Sequence, residues 1–564
     1  MFKGIGASAG IGIGSAVLVR EPDLDYSHVV FAGEAAEKAR LAAAAARFTE
    51  KTRAMARKME EQVGRSQAEI LLGQVMMLED PLLLGQMEEH IARGRCAEGA
   101  ADAVCRMYAE MFDAMEDELM RQRAADVRDM AARLLGELLE RENPDLSALP
   151  PDTVLVAHDL TPSMTAGLCR GSVAGILTEA GGTTSHSAIL ARAMELPAVL
   201  SARGVMERVG NGDTLVVDGT EGIALLNPDQ GTLARYQSRQ RAVWEERAAL
   251  QRYAGGPTRT ADGKAVTLYG NIGTPQEAEQ VMAAVGEGIG LFRTEFLFMN
   301  RNRLPTEEEQ FHAYCRVLDT MAGREVIIRT LDAGGDKVIP CLGSEKADNP
   351  ALGFRGVRCW LEREDLFRPQ LRALLRASAH GELKIMLPLV TRVEEVRRAK
   401  ALLAQIKAEL DEEGTPYNRQ LKVGVMMETP AAALLADLLA READFFSIGT
   451  NDLTQYIMAA DRGSGRVAEL GTPFQPAVLR AMERIIGEAH RAGIPVAVCG
   501  EAAADPRMIP LLLAWGVDTL SVSPSAILPT RGHIARWTEE EARTAHDRAM
   551  ACSTLEEVLS RLPQ

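Results

Sequence analysis

The segment GGTTSHSAILAR, residues 181–192, sets one histidine among hydroxyl side chains, after a pair of glycines. A glycine turn following the β-like run 174–178 opens a helix here, so His186 is predicted to lie near a helix N-terminus. Free amides and the helix dipole at such an end favour an added phosphate. Because an imidazole nitrogen is a competent nucleophile near neutral pH, we predict that His186 accepts a phosphoryl group. None of the other eight histidines is predicted to act.

A second set of polar residues lies at the ends of predicted strands in the C-terminal half of the chain. A single arginine at such a position is more often solvated or in an ion pair, but the joint placement of several reactive residues favours a functional site. Arginine forks bind phosphate and carboxylate groups, and further arginines follow in nearby loops or early helices. The set comprises Arg293, Arg329, Asp332, Glu428, Asn451, Asp452 and Cys499, and the further arginines are Arg355, Arg358 and Arg462.

These residue types fit phosphoryl transfer, which depends chiefly on positioning and charge neutralisation. Glu428 and Asp452 are the predicted ligands of Mg²⁺, which takes few protein carboxylates and completes its octahedron with substrate oxygens and water. Cys499 is a candidate proton donor, although an isolated cysteine is more often a small buried core residue.

Eight β-like runs after residue 260, separated by helix-like segments such as 307–318, 392–410 and 431–440, predict the framework that positions this set. Eight β/α units over about 300 residues are what a (β/α)₈ barrel requires, and its active sites lie at the carboxyl ends of the strands. We therefore predict that residues 258–564 form a barrel with the polar set at its mouth. The runs are 266–271, 288–292, 325–330, 384–389, 422–428, 444–448, 496–500 and 519–522.

The N-terminal half predicts a swivelling α/β domain with an inserted helical bundle. Residues 21–143 have helical periodicity and form the predicted bundle, within which one helix ends near residue 79 and the next is predicted to begin at Pro81, capped by Asp80. Short β-like runs predict an α/β domain over 144–228, and the glycine-rich strand pattern at 4–19 is expected to join its sheet, so that this domain also includes residues 1–20. Residues 229–257 read as a charged linker helix.

Bulk properties exclude several classes of protein. The formal net charge of −16 argues against general binding to nucleic acid or to anionic membranes. The chain contains no apolar run near the roughly 20 residues that a membrane span needs, and alternating glycines near the N-terminus disfavour a signal peptide. Eight scattered cysteines without a C-x-x-C pair suggest neither disulfides nor zinc, which fits a reducing cytosol. A cytoplasmic protein without membrane insertion is expected.

Four motifs together resemble the Enzyme I family of the bacterial phosphoenolpyruvate-dependent phosphotransferase system, and the resemblance covers nearly the whole chain. Residues 181–192 resemble the family's phosphohistidine loop. The others resemble its barrel motifs: GIGLFRTEFLFM at 288–299, RTLDAGGDK at 329–337 and FFSIGTNDLTQY at 445–456.

The resemblance implies an enzyme that moves a phosphoryl group from phosphoenolpyruvate to His186 and then to the carrier HPr or a paralogue, as the first step of sugar transport. It implies that Glu428 and Asp452 bind Mg²⁺ and that Cys499, in VAVCGE, protonates the enolate to give pyruvate. The inserted helices would dock the carrier, and the barrel would form a homodimer. The residues implied to bind phosphoenolpyruvate are Arg293, Arg329 and Arg462, with Asn451 at the phosphate.

Some positions depart from the family pattern, and alternative functions are weighed against it. Thr183, Glu179, Met164 and Ser201 are unlike the residues expected there, and none of these differences removes a catalytic group. An ATP-dependent dikinase or synthase should carry a further nucleotide-binding domain, and no Walker loop is visible. A carbon–carbon lyase would leave the His186 loop idle. A binding-only relative should have lost key groups, yet all are present.

Overall fold

The computed structural model describes residues 1–563 except 21–23, 63–64, 116–117, 142–145, 147–148, 166–167, 169–170, 183–184, 195, 300–302, 333–348, 350 and 462–464, and describes the backbone alone at 60–62, 65–69, 118–122, 162, 165, 186, 193, 246–247, 465 and 468. The chain divides into two compact units, Met1–Arg247 and Ala248–Gln564.

A mixed sheet forms the core of the first unit. Strands β3 to β6 are parallel neighbours, so their carboxyl ends meet at one edge, while the remaining pairs are antiparallel. The glycine-rich N-terminal segment joins this sheet, as the sequence predicts, because β3 pairs with both β4 and β7. Close approach requires the glycines: a Cβ at Gly14 would lie 1.8 Å from the carbonyl oxygen of Asp152. The strands are β1 Phe2–Lys3, β2 Ile5–Ser8, β3 Ile11–Val19, β4 Thr153–Ala157, β5 Val173–Thr178, β6 Ala198–Leu200, β7 Thr214–Asp218 and β8 Ile223–Leu226, in the spatial order β1-β8-β7-β3-β4-β5-β6-β2.

Helices lie between β3 and β4 and pack around their own apolar core. The predicted restart at Pro81 is confirmed, since Asp80 caps the next helix by accepting a hydrogen bond from the Leu82 amide at 2.8 Å. These helices are α1 Glu34–Gln62, α2 Arg65–Leu78, α3 Pro81–Ala92, α4 Ala97–Asp113 and α5 Glu118–Leu138. The helices that follow in the first unit are α6 Pro162–Thr165, α7 His186–Ala193, α8 Val205–Arg208 and α9 Gln230–Leu250, which runs into the second unit.

In the described part of the second unit, eight parallel strands close into a barrel, confirming the predicted fold class. Each strand overlaps its predicted run, with ends that differ by no more than two residues. The strands are β9 Thr267–Ile272, β10 Ile289–Arg293, β11 Val326–Arg329, β12 Leu383–Leu387, β13 Lys422–Met427, β14 Phe446–Ile448, β15 Val496–Val498 and β16 Thr519–Val522.

Helices surround the barrel and share its main apolar core. The predicted helix over 431–440 is divided into two short helices, with Leu435 between them. The helices of the second unit are α10 Glu277–Ala283, α11 Glu307–Met321, α12 Val357–Glu362, α13 Glu364–Ala377, α14 Val393–Glu413, α15 Pro430–Leu434, α16 Ala436–Leu439, α17 Thr450–Ile457, α18 Pro476–Arg491, α19 Ile509–Trp515, α20 Ile527–Ile534, α21 Glu539–Met550 and α22 Leu555–Arg561. None of the helices in the described residues combines the length and apolarity that crossing a membrane requires.

Candidate active site

Two predicted arginines end neighbouring barrel strands. Arg293 is the last residue of β10 and Arg329 the last of β11, and the two are paired in the strand register. Because these strands are parallel, both residues lie at the carboxyl-end rim of the barrel, where the sequence places them. Arg293 is exposed, whereas Arg329 is buried.

Buried carboxylates hold the Arg329 guanidinium. Its Nη2 lies 2.6 Å from Glu295 Oε1, and its Nη1 lies 3.3 Å from Asp332 Oδ2. Burial alone would lower the pKa of Arg329, but the charges of Glu295 and Asp332 outweigh it and raise that pKa, so the side chain stays cationic. Its Nε–H is buried and has no hydrogen-bond partner within the described residues, so this donor is available to a ligand.

Arg355 connects the carboxylates around the rim. Its Nη2 is 2.8 Å from Asp332 Oδ2 and 3.9 Å from Asp452 Oδ2, and its Nη1 donates to the Tyr456 hydroxyl at 3.2 Å. Arg358 instead donates to the Gly353 carbonyl and the Thr391 hydroxyl. The structure therefore brings Arg355, and not Arg358, into the charged cluster.

Glu428 follows β13 directly and is buried. Its Oε1 accepts a hydrogen bond from the Leu389 amide at 2.7 Å. Burial, and then the negative charges of Asp452 and Asp332, raise the pKa of Glu428 to about 8. The Oε2 side is open only because residue 449 is glycine, since a Cβ there would lie 2.8 Å from Glu428 Oε2.

Asn451 and Asp452 occupy the first turn of α17, which follows β14. The Asn451 carboxamide oxygen accepts a hydrogen bond from the Glu501 amide at 3.2 Å. Because the oxygen faces the Glu501 amide, the NH₂ end of the carboxamide points away from it. An NH₂ group is a hydrogen-bond donor and therefore suits an anionic ligand.

The Cys499 thiol lies just after β15, within the barrel. It packs in an apolar layer with Leu291, Met426 and Phe445, and its Sγ is 3.6 Å from the Ile448 carbonyl oxygen. Burial raises the pKa of the Cys499 thiol. The Glu428 charge raises that pKa further, while the positive charges of Arg329 and Arg293 act in the opposite direction. Cys499 is thus an acid kept protonated beside the charged rim.

His186 is the first residue of α7, as the sequence predicts, and Ser185 caps this helix by accepting a hydrogen bond from the Ala188 amide. The next residue, Ser187, is buried and donates to Asp159 Oδ1 at 2.7 Å, which fixes the first helical turn against the segment after β4. Gly181 has φ of +99°, a conformation that favours glycine in the turn before the helix.

Comparisons with known proteins agree with this arrangement. Models of the phosphoenolpyruvate (PEP)-utilising enzymes match residues 3–123 (N-terminal), 149–222 (mobile domain) and 247–538 (PEP-binding domain). A protein of Geobacillus stearothermophilus named phosphoenolpyruvate-protein phosphotransferase is 46% identical over 560 residues, covering 99% of this chain and 97% of its own. The chain belongs to the phosphoenolpyruvate-protein phosphotransferase family of PEP-utilising enzymes. Proteins of the same name from Bacillus subtilis and Staphylococcus carnosus are each 43% identical, with coverage of 99% of this chain and 98% of theirs. The predicted family is confirmed.

For a PEP-utilising enzyme, the rim also suits a divalent cation. Within the described residues no group of three or more histidine, cysteine or acidic side chains is arranged to hold a metal. Glu428 and Asp452 are nevertheless close enough for the negative charge of Asp452 to raise the pKa of Glu428. Two carboxylates fit Mg²⁺, which draws its other ligands from water and substrate.

The sequence does not indicate every residue of this rim, and one predicted site residue lies outside the residues that the structure describes. Arg462 lies outside the described residues, as does Thr183 of the histidine loop. Glu295 was not singled out, although it stands two residues after Arg293 and pairs with Arg329. An acidic residue beside a strand-end arginine was the available signal, but its partner lies on the next strand.

Proposed function

We propose that this chain is a cytoplasmic phosphotransferase that moves the phosphoryl group of PEP to His186 and then to a histidine of the carrier HPr or a paralogue. Pyruvate is released, and the reaction is the first step of phosphotransferase sugar transport. The observation that carries the proposal is the placement of Arg329, Glu428 and Cys499 at the carboxyl ends of β11, β13 and β15, three alternate strands of the barrel, with the charges of Arg329 and Glu428 acting on the Cys499 thiol. The names of the full-length relatives support it.

Substrate binding is assigned to the cationic and amide donors of the rim. PEP carries a phosphate and a carboxylate, and guanidinium forks bind both kinds of group. The unpartnered Nε–H of buried Arg329 supports its role as one of these donors. The proposed binding residues are Arg293, Arg329, Asn451 and Arg462.

Glu428 and Asp452 are proposed to hold Mg²⁺. The raised pKa of Glu428 in the absence of a cation supports this role, because a bound cation favours the ionised carboxylate. When bound, the metal neutralises phosphate charge and orients PEP. Gly449 leaves room for the Glu428 carboxylate to reach it.

The chemical step divides between two side chains. The His186 imidazole attacks phosphorus, the bond between phosphorus and the bridging oxygen breaks, and the electron pair stays with the enolate of pyruvate. Cys499 then gives its proton to the enolate carbon, which becomes the methyl group of pyruvate. The raised pKa of the thiol supports this role, because the group stays protonated until the enolate forms and recovers its proton from solvent afterwards.

Because His186 must meet PEP at the rim and later the carrier, we infer that the unit Met1–Arg247 moves relative to the unit Ala248–Gln564, to which the rim belongs. We propose that the chain consists of four parts: a swivelling α/β domain of residues 1–20 and 144–228, the helical bundle 21–143, the linker helix 229–257 and the barrel 258–564. A crosslink between the α/β domain and the barrel should block one half-reaction and spare the other. Normal rates for both would disprove the movement.

Carrier docking is proposed for the inserted helices, and homodimerisation for the barrel. Large apolar side chains are exposed on the helices: Met76 of α2 is 74% exposed, and Leu82 of α3 is 63% exposed. Met107 and Met111 form an exposed pair one turn apart on α4. Exposed apolar side chains mark a protein interface when they form one contiguous patch, so the docking proposal requires these side chains to act together. Light scattering of the full chain would test the dimer.

The decisive experiment mixes the protein with Mg²⁺ and PEP labelled in the phosphoryl group, without ATP. We expect acid-labile label on the unaltered protein and on a His90→Ala control, none on His186→Ala, and transfer of label to added HPr. Label retained by His186→Ala, or absent from the unaltered protein, would refute the proposal.

A further inference from the structure

An asparagine of the first barrel strand reaches the backbone of Cys499. Asn271 is the last residue but one of β9, and its Nδ2 donates to the Cys499 carbonyl oxygen at 2.9 Å and to the Ser521 carbonyl oxygen at 3.0 Å. Cys499 follows β15, and Ser521 lies in β16, the strand between β15 and β9. The carboxamide therefore crosses β16 and connects the end of β15 to β9.

A buried hydroxyl fixes the orientation of this carboxamide. Ser521 Oγ donates to Asn271 Oδ1 at 2.6 Å. Because the carboxamide oxygen receives this hydrogen, the NH₂ end faces the two carbonyl oxygens and can donate one hydrogen to each. The Ser521 side chain has room because residue 290 is glycine, where a Cβ would lie 2.4 Å from Ser521 Oγ.

Hydrogen bonds on two sides hold the backbone of Cys499. The ladder between β15 and β16 ends at the pair Val498 and Leu520, so Cys499 lies one residue beyond the last paired position. Its amide donates to the Ile448 carbonyl at 3.1 Å on the β14 side, and its carbonyl accepts from Asn271 on the β9 side. Since the groups before and after the Cys499 Cα are both held, its backbone dihedrals are fixed beyond the end of the ladder.

A fixed backbone sets the direction of the Cys499 thiol. The cysteine side chain has a single torsion between Cα and sulfur, so the position of Sγ follows closely from the backbone. The thiol packs in an interior layer with Leu291, the register partner of Asn271. Proton donation requires the donor to lie within hydrogen-bond reach of the accepting atom, and a displacement of about 1 Å can cost about 100-fold in rate. The contact from Asn271 therefore bears on the chemistry of the thiol.

We propose that Asn271, oriented by Ser521, is a positioning residue for proton donation: it holds the Cys499 backbone so that the thiol faces the enolate carbon. The inference rests on the proposed role of Cys499 as the proton donor. Asn271 acts through the cysteine and not on the anionic groups of PEP, so its removal should slow protonation and leave PEP affinity unchanged. A contact that only ties strands together would lower the melting temperature without this effect.

The test is a double-variant cycle on the full chain with Mg²⁺ and PEP. Pyruvate formation in a single turnover is followed continuously through lactate dehydrogenase, and PEP affinity by calorimetry, for the unaltered protein, Asn271→Ala, Cys499→Ala and the double variant. If the asparagine acts through the thiol, its removal has no effect once the thiol is absent. Asn418→Ala is the matched control, because Asn418 is a half-buried asparagine whose carboxamide accepts the Gln420 amide before β13, at the opposite end of the strands.

We expect Asn271→Ala to slow pyruvate formation about ten- to hundredfold with PEP affinity unchanged, and to change the rate by less than about twofold in the Cys499→Ala background. Asn418→Ala should match the unaltered protein. Ser521→Ala keeps both N–H donors and frees only the carboxamide oxygen, so it should slow the step about two- to fivefold with the same dependence on Cys499. This milder variant decides the test if Asn271→Ala does not fold.

Three results would overturn this inference alone. They are an unchanged rate for the folded variant, a full further loss of rate when it is combined with Cys499→Ala, and a loss of PEP affinity equal to the loss of rate. A full rate for Cys499→Ala would overturn the proton-donor role together with this inference. Failure of the unaltered protein to form pyruvate would overturn the proposed function.

Discussion

Replacing Cys499 by alanine separates the chemical role of the thiol from its packing role. The substitution deletes one buried sulfur from the layer formed with Leu291, Met426 and Phe445. A deletion of this size in a core costs about 1 kcal/mol, which corresponds to a fall in melting temperature of about 2 °C for a large domain. Loss of fold therefore will not explain a large loss of activity.

The chemical loss should be far larger. A positioned proton donor contributes about 10²- to 10⁴-fold to a rate, so pyruvate formation by Cys499→Ala should fall by that factor. This corresponds to about 3–5 kcal/mol in the activation free energy. PEP binding should change little, since the thiol is buried and the anion-binding groups remain.

The assay couples pyruvate release to lactate dehydrogenase, with binding of PEP followed by calorimetry. Cys315→Ala is the matched control, because Cys315 is buried in α11 of the same unit and its burial raises the pKa of its thiol to about 11. It should show a similar loss of stability with full activity. A rate for Cys499→Ala within threefold of the unaltered protein would refute the proton-donor role.

Four further predictions concern the other parts of the mechanism. Arg329→Met removes one cation from beside the buried carboxylates of Glu295 and Asp332, so urea unfolding should show a loss of about 3–5 kcal/mol and PEP binding should weaken; a loss below about 1 kcal/mol would contradict the ion-pair network. Gly449→Ala pushes a methyl group against Glu428, so calorimetry should show Mg²⁺ binding weakened about tenfold or more, and unchanged affinity would contradict the metal site. Met76→Glu places a charge on the exposed bundle surface, so transfer to HPr should slow about tenfold or more while labelling from PEP is unaffected; equal slowing of both would disprove a docking role. Because its raised pKa favours the thiol, Cys499 should resist iodoacetamide at pH 7 and react faster as pH rises above 9, measured by peptide mass spectrometry; rapid reaction at pH 7 would contradict the burial argument.

The barrel was predictable from sequence because its strands are short, largely apolar runs separated by helix-like segments. The runs 422–428 and 519–522 illustrate this, since they match β13 Lys422–Met427 and β16 Thr519–Val522 closely. The helix over 431–440 was less predictable. Its alanine- and leucine-rich composition favours a single helix, whereas packing on the barrel divides it at Leu435.

Residues whose side-chain types alone suggest chemistry can be identified from the sequence. Residues whose role depends on an ion pair or hydrogen bond with a distant residue cannot. Arg329 stands at a strand end and could be named, but its pairing with Glu295 crosses to the loop after a neighbouring strand. The contact of His158 with Glu179 is a second example, because these residues lie 21 positions apart in the chain and meet only through parallel strand pairing. Pairings of this kind depend on register, which periodicity does not specify.

The parallel pairing of β3 with β4 constrains any attempt to dissect the first unit. The chain leaves β3 at one edge of the sheet and must enter β4 at the opposite edge. Such neighbours need a crossover of a dozen or more residues, a task that the intervening helices perform. Excising the helices and joining residue 20 directly to residue 153 would therefore unravel the sheet, whereas a crossover of sufficient length borrowed from another α/β protein should preserve it. The bundle can thus be exchanged for another crossover of sufficient length, and, on the proposed docking role, a bundle grafted from a relative should change which carrier accepts the phosphoryl group.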